Sequence, residues 1–206
     1  DWAPQITPTL EPASGGWHCS HLYYSLDRGK LQSYSPEQLA AARTAAIGAL
    51  DSKGNHAPLR LQTFMVSGHK ADFGLMMLDP DPLKIDRVHQ RLMAGPLGPA
   101  LVPGYSFVSI TEISEYVQSA EQYGERLAAE GMTAGSDEHT ARVKAYADRL
   151  ETMNRQRLTP DFPDYPVMCF YPMNKARRGG ENWFALSKEE RGRLMTEQAK
   201  RGRELA

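Results

Sequence analysis

The first clear pattern along the chain is the run Trp-His-Cys-Ser-His-Leu-Tyr-Tyr-Ser-Leu-Asp over residues 17–27, aromatic and extended, which predicts a strand. Ser35-Pro36-Glu37-Gln38 follows, with a serine cap, a proline in the first turn and a glutamine three residues on. That arrangement opens a helix, because the two side chains satisfy backbone N–H groups the first turn leaves unpaired. Leu39, Ala42, Ala46, Ile47 and Leu50 make its apolar stripe, and Gly54 stops it. Two runs rich in apolar residues, 59–66 and 71–78, flank the turn Ser67-Gly68-His69-Lys70 and predict a hairpin. Beyond Pro80 and Pro82 a second helix carries Ile85, Val88 and Leu92 and ends before Gly95-Pro96. A fourth strand, 104–112, is dense in β-formers: Tyr105, Phe107, Val108, Ile110 and Thr111. The order over residues 16–112 is therefore β-α-β-β-α-β. This predicts an α+β, ferredoxin-like unit, an antiparallel sheet with both helices on one face.

The flanking regions differ. Residues 1–15 hold Pro4, Pro8, Pro12 and Gly15 without periodicity and read as an arm. Residues 120–158 are polar, alanine-rich and helical, broken at 131–135, with the stripe Val143, Tyr146, Leu150 and Met153. After Pro160, Pro163 and Pro166 the run Val167-Met168-Cys169-Phe170-Tyr171 predicts a strand, and Ser187-Lys188-Glu189-Glu190 opens a last helix with Leu194 and Met195. The expected organisation is an arm (1–15), a first ferredoxin-like repeat (16–119), a helical connection (120–159) and the start of a second repeat (160–206).

Composition narrows the partners. The 206 residues carry 24 Lys and Arg against 25 Asp and Glu, so the basic excess that a phosphate-neutralising nucleic-acid binder needs is missing. No stretch approaches the roughly 18 consecutive apolar residues of a membrane span. The first residues, Asp1-Trp2-Ala3-Pro4, show neither the basic start nor the apolar run of a signal peptide. Cys19 and Cys169 each lie in an apolar, strand-like run, which points to two buried thiols in a reducing cytoplasm rather than a bridge. His18-Cys19-Ser20-His21 has the look of a metal cluster, but strand alternation separates His18 from Cys19 and His21, and no third ligand is visible. A core reading is preferred, and no metal-ligating residue is assigned. His56, His89 and His139 stand in polar contexts that place them at the surface.

The stretch with most chemistry is Tyr171-Pro172-Met173-Asn174-Lys175, running on through Arg177-Arg178-Gly179-Gly180-Glu181-Asn182-Trp183-Phe184. Proline forbids further pairing after the tyrosine, and three cations follow. Read blandly, this is a strand end with a solvated basic loop. Read functionally, Tyr, Met and Lys line a flat apolar ligand with anionic arms.

The segment CFYPMNKARRGGENWFALSKEERGRLM resembles the one that marks the chlorite dismutase-like superfamily, specifically its coproheme decarboxylase branch. The resemblance extends back through GWHCSHLYYSLD, GHKADFGLMML and PGYSFVSITEISEY to Gly16. It implies paired ferredoxin-like repeats assembled into a homo-oligomer, a pentamer in the family, located in the cytoplasm. It implies an iron-coproporphyrin III substrate and hydrogen peroxide as oxidant, with two propionates decarboxylated to give haem b. By position, Tyr171 matches the redox-active tyrosine. Lys175 and Arg157 match the propionate contacts, and Tyr116 matches a tyrosine near the porphyrin. Pro172, Met173 and Asn174 share the loop and are counted among the porphyrin-binding residues. Two positions depart from the family pattern: Asn174 stands for an aspartate, and Gln198 stands where the iron-ligating histidine aligns. An amide oxygen is a poor iron ligand beside imidazole. The alternative reading is therefore a non-catalytic or assembly paralogue that lacks the axial histidine.

Overall fold

The computed structural model describes residues 15–204. Of the arm expected over 1–15, all but Gly15 lies outside them. The chain divides into two units, one running to Ile113 and including Asp148–Phe162, the other comprising Ser114–Ala147 and Pro163–Ala206.

The first unit is built on strands β1 (His18–Leu26), β2 (Arg60–Met65), β3 (Phe73–Asp79) and β4 (Leu101–Ile110), all antiparallel, in the order β2-β3-β1-β4. A one-turn helix α1 (Arg28–Gln32), not expected from the sequence, follows β1. Helices α2 (Pro36–Ala49) and α3 (Pro82–Ala94) are the two crossovers. This is the ferredoxin-like plan read from the element order. The cap of α2 is as expected, Ser35 and Gln38 bonding reciprocally; at α3 the cap is Asp81, which the sequence reading did not single out, accepting from Leu83 N–H with Pro82 in the first turn.

One face of the sheet meets the helices. Leu22, Tyr24 and Leu26 of β1 and Leu75 and Met77 of β3 pack with Ile85, Val88 and Leu92 of α3. Burying an aliphatic side chain of this size contributes about 1.5–3 kcal/mol. Helix α2 packs through the small residues Ala42 and Ala49, while Leu39 and Ile47 of its expected stripe are exposed. The other face holds Cys19, His21 and Tyr23. Burial pushes the Cys19 thiol up and the His21 imidazole down, so both favour the neutral form, as a core reading requires. Here Phe64 crosses Gly74: a Cβ at Gly74 would lie 2.5 Å from the Phe64 ring, so only glycine admits it. At one corner Arg60 lies over the Trp17 ring and pairs with Asp161, and Thr111 Oγ1 donates to the Leu158 carbonyl at 2.7 Å.

In the second unit, α4 (Ala120–Ala129) and part of α5 (Asp137–Leu158) form the expected helical excursion, broken at 130–136. Tyr123 and Tyr146 stack at 4.2 Å. No residue of α5 is fully buried; of its expected stripe, Val143, Tyr146 and Leu150 are half-buried and Met153 is exposed. The run 167–171 is not a strand: it has no regular structure, and Val167, Met168 and Tyr171 are exposed. A strand without a neighbour cannot pair its backbone groups, and no described strand lies beside this one. Cys169 is in consequence an exposed free thiol rather than a buried one. The strands present are instead the two-residue β5 (Arg177–Arg178) and β6 (Glu181–Asn182).

Asp79 has no exposed surface. Its carboxylate accepts from the Leu59 and Asp81 backbone N–H groups, each at 2.8 Å, and Lys84 Nζ lies 3.7 Å away. Asp79→Ala leaves both N–H groups without that partner and is expected to cost about 2–4 kcal/mol in urea-induced unfolding. A change within the error of the measurement would show that the clamp is dispensable.

Candidate functional site

The tyrosine-proline-methionine loop leads into a hairpin whose turn needs glycine: Gly180 has φ of +85°. The hairpin returns the chain so that Trp183 N–H donates to the Ala176 carbonyl at 2.9 Å, and Asn182 caps the following 3-10 turn (Trp183–Ala185) by accepting from Phe184 N–H. Ser187 and Glu190 then cap α6 (Lys188–Glu204). The local sequence thus turns Trp183 back beside the residues that precede the hairpin.

Trp183 is the organising ring. Lys175 Nζ stands 4.4 Å from its centroid and 3.7 Å from Met195 Sδ on α6. Tyr116 meets it edge-on at 6.1 Å and 74°. Arg177 lies 4.3 Å over the Phe184 ring. Arg191 of α6 pairs with Glu115 at 3.7 Å, and its Nε is buried without a hydrogen-bond partner. The hydrogen bond to Glu115 raises the Tyr116 phenol above its ordinary value, some desolvation adds to this, and the Arg191 charge opposes it.

The structure therefore brings two of the expected residues, Lys175 and Tyr116, to one tryptophan. Tyr171, Pro172, Met173 and Asn174 are exposed and make no hydrogen bond among the described residues. Arg157 belongs to the first unit, near the end of α5, where its Nε donates to the Glu112 carbonyl at 3.3 Å. Gln198 is exposed on α6. Sequence reasoning gave no role to Trp183, Met195, Glu115 or Arg191. The signal for Trp183 was present, because Gly-Gly followed by Glu-Asn-Trp predicts a hairpin that folds the tryptophan back. Arg191 and Glu115 are 76 positions apart by number, and nothing local links them. No group of three metal-ligating side chains is found among the described residues, and no described helix is long and apolar enough to cross a membrane.

Comparison with known proteins bears on this arrangement. The family model of chlorite dismutase matches residues 37–205. A solved structure described as a novel heme-binding protein from Thermus thermophilus is similar, with a TM-score of 0.66 and 26% identity, over 92% of this chain and 67% of that one. A mutant chlorite dismutase from Candidatus Nitrospira defluvii in complex with cyanide is 13% identical, with a TM-score of 0.42, over 57% of this chain and 50% of that one.

Because its hydrogen bond to Glu115 is the largest influence on the Tyr116 phenol, Glu115→Gln is expected to lower the pH at which this phenol ionises, towards the ordinary value near 10. Ultraviolet difference titration of the variant against a Tyr116→Phe background isolates that one phenol. An unchanged or higher midpoint would contradict the assigned contact.

Proposed function

We propose, starting from the fact that the chain belongs to the chlorite dismutase family, that it takes an iron porphyrin with carboxylate arms as substrate and decarboxylates it oxidatively. The substrate assigned is iron-coproporphyrin III, and the oxidant is hydrogen peroxide. The observation that carries the reading is the cluster of cations around flat rings in the second unit, Lys175 on Trp183 and Arg177 on Phe184. The similarity to a heme-binding protein supports the porphyrin.

The donor set suits the arms of such a substrate. Lys175 and the unpartnered Arg191 Nε of the second unit are donors that would pair with carboxylates, and Trp183 and Phe184 of the same unit offer apolar surface. It supplies no imidazole, because no histidine follows His139. Per arm, one propionate, one peroxide and one proton give a vinyl group, carbon dioxide and two waters. When bound, the iron porphyrin supplies peroxide activation. Lys175 would hold a propionate as its anion, a role the resemblance gives to Arg157 as well. Tyr171, exposed and unbonded, is free to turn its hydroxyl to a propionate, give up its phenolic hydrogen atom and accept one from the arm. Met173 and Pro172 would exclude water from one side, and Asn174 would offer an uncharged hydrogen-bond donor. Tyr116 would lie beside the ring.

The same reading carries the organisation into a first ferredoxin-like repeat (16–119), a helical connection (120–159) and the start of a second repeat (160–206), along with a homo-oligomer, a pentamer by resemblance, working in the cytoplasm. A second reading, a porphyrin-binding or assembly paralogue without turnover, is favoured by exposed Gln198 on α6 at the position where the ligating histidine aligns.

In the decarboxylation assay, Tyr171→Phe is expected to abolish turnover with iron-coproporphyrin III and peroxide while its absorbance titration with the porphyrin is unchanged, since the ring stays and only the oxidisable hydroxyl goes. Turnover at the level of the parent chain would remove Tyr171 from the reaction.

Gln198→His is expected to sharpen and intensify the Soret band of the ferric complex. No gain would show that α6 does not face the iron. Binding without any product from the parent chain would favour the second reading.

A further inference from the structure

The first unit carries a cleft of about 450 Å³ between α3 and β4 that the function above does not use. Its origin is topological. Helix α3 packs against β3 and β1, and β4 is the outer strand beyond β1, so the inward face of β4 lacks a helix over it. Val108 is left 73% exposed for that reason.

The floor consists of cross-strand neighbours, Ser20 with Val108 and Leu22 with Ser106, and the wall is Ile85, Asp86 and His89 of α3. Tyr24, 1% exposed, closes the inner end. Its hydroxyl lies 2.8 Å from His89 Nδ1. Burial first, and the Asp86 charge second, push this phenol up to about 12, so it keeps its proton. A buried hydroxyl must place that proton, and Nδ1 is the acceptor it has among the described residues. An imidazole that accepts at Nδ1 carries its hydrogen on Nε2. Expected from sequence as a surface residue, His89 is instead half-buried and held in one tautomer by the core. Its Nε2–H makes no hydrogen bond to a described residue, and neither does the hydroxyl of Ser20, itself 7% exposed. Among the described residues the Asp86 carboxylate meets only Gln90 Nε2, at 3.5 Å.

An oriented donor, a carboxylate acceptor and an apolar floor thus meet in a space near the lower end of the roughly 300–1,000 Å³ of ligand pockets. We propose that this cleft is a second binding site, for a neutral one- or two-ring phenol. Its ring lies on Leu22 and Val108, and its hydroxyl accepts from His89 Nε2 while donating to Asp86. A carboxylate of the same shape is disfavoured, because it would face Asp86. The space suits one or two rings rather than a macrocycle, which separates this site from the porphyrin reading.

The probe is 2-naphthol, followed by its fluorescence and by amide resonances of the full chain. Saturable binding that shifts Ser20, His89, Ser106 and Val108 is expected, with 2-naphthoate binding about tenfold weaker or less. Val108→Trp fills the cleft from an exposed position, so it is expected to weaken 2-naphthol about tenfold. It should leave the far-ultraviolet spectrum, the unfolding midpoint and the iron-coproporphyrin titration as they are. Asp86→Asn, which removes the charge without touching the floor, is expected to close the gap between 2-naphthol and 2-naphthoate. The proposal is overturned if those resonances stay still at saturating 2-naphthol, or if 2-naphthoate binds equally well. It also fails if Val108→Trp has no effect, or if sedimentation shows a concentration-dependent dimer that Val108→Trp abolishes, since a second copy would then own the cleft.

Discussion

A single buried carboxylate sets the geometry of the first unit. Asp79 ends β3, and its two oxygens take the backbone N–H groups of Leu59, just before β2, and Asp81, the cap of α3. Charge-assisted bonds of this kind are about twice as strong as neutral ones, and none can be given up cheaply where water is excluded. One side chain therefore fixes where the hairpin opens and where α3 starts. With its start fixed, α3 covers β3 and β1 and stops short of β4. The core and the neighbouring cleft are consequences of the same placement.

The second unit rests on weaker forces. Leu127 of α4 is buried, but α5 and α6 bury nothing comparable, and the contacts are ring on ring or cation on ring: Tyr123 with Tyr146, Lys175 with Trp183, Arg177 with Phe184. Exposed cation–π contacts contribute about 0.5–1 kcal/mol each, and exposed ion pairs often less. Local devices hold the segment instead, chiefly the reciprocal cap at Ser119, the Gly180 turn and the Ser187 cap.

Function and fold meet at the aromatic residues. Trp183 collects a lysine and a tyrosine from two separate stretches, and that lysine in turn meets Met195 of α6.

What the chain determined by itself were the features that rest on neighbours in sequence. The caps at Ser35 and Ser187, the first-turn proline Pro82, the hairpin after Met65 and the strand-rich run into Ile110 are all short-range, and their order alone implied the sheet topology found. Local pattern failed wherever a residue's surroundings come from afar. The run 167–171 has strand composition, yet a strand needs a partner, and composition does not supply one. Leu39 and Ile47 share a helical stripe with Ala42, yet the close approach of α2 to the core buries the small residues and leaves the large ones outside. His89 looks like a surface histidine until β1 brings Tyr24 to its Nδ1 across 65 positions of sequence. Arg191 and Glu115 likewise meet only through the fold. Periodicity records which face a side chain takes on its own element; which element covers that face is a long-range fact, and only the packed structure contains it.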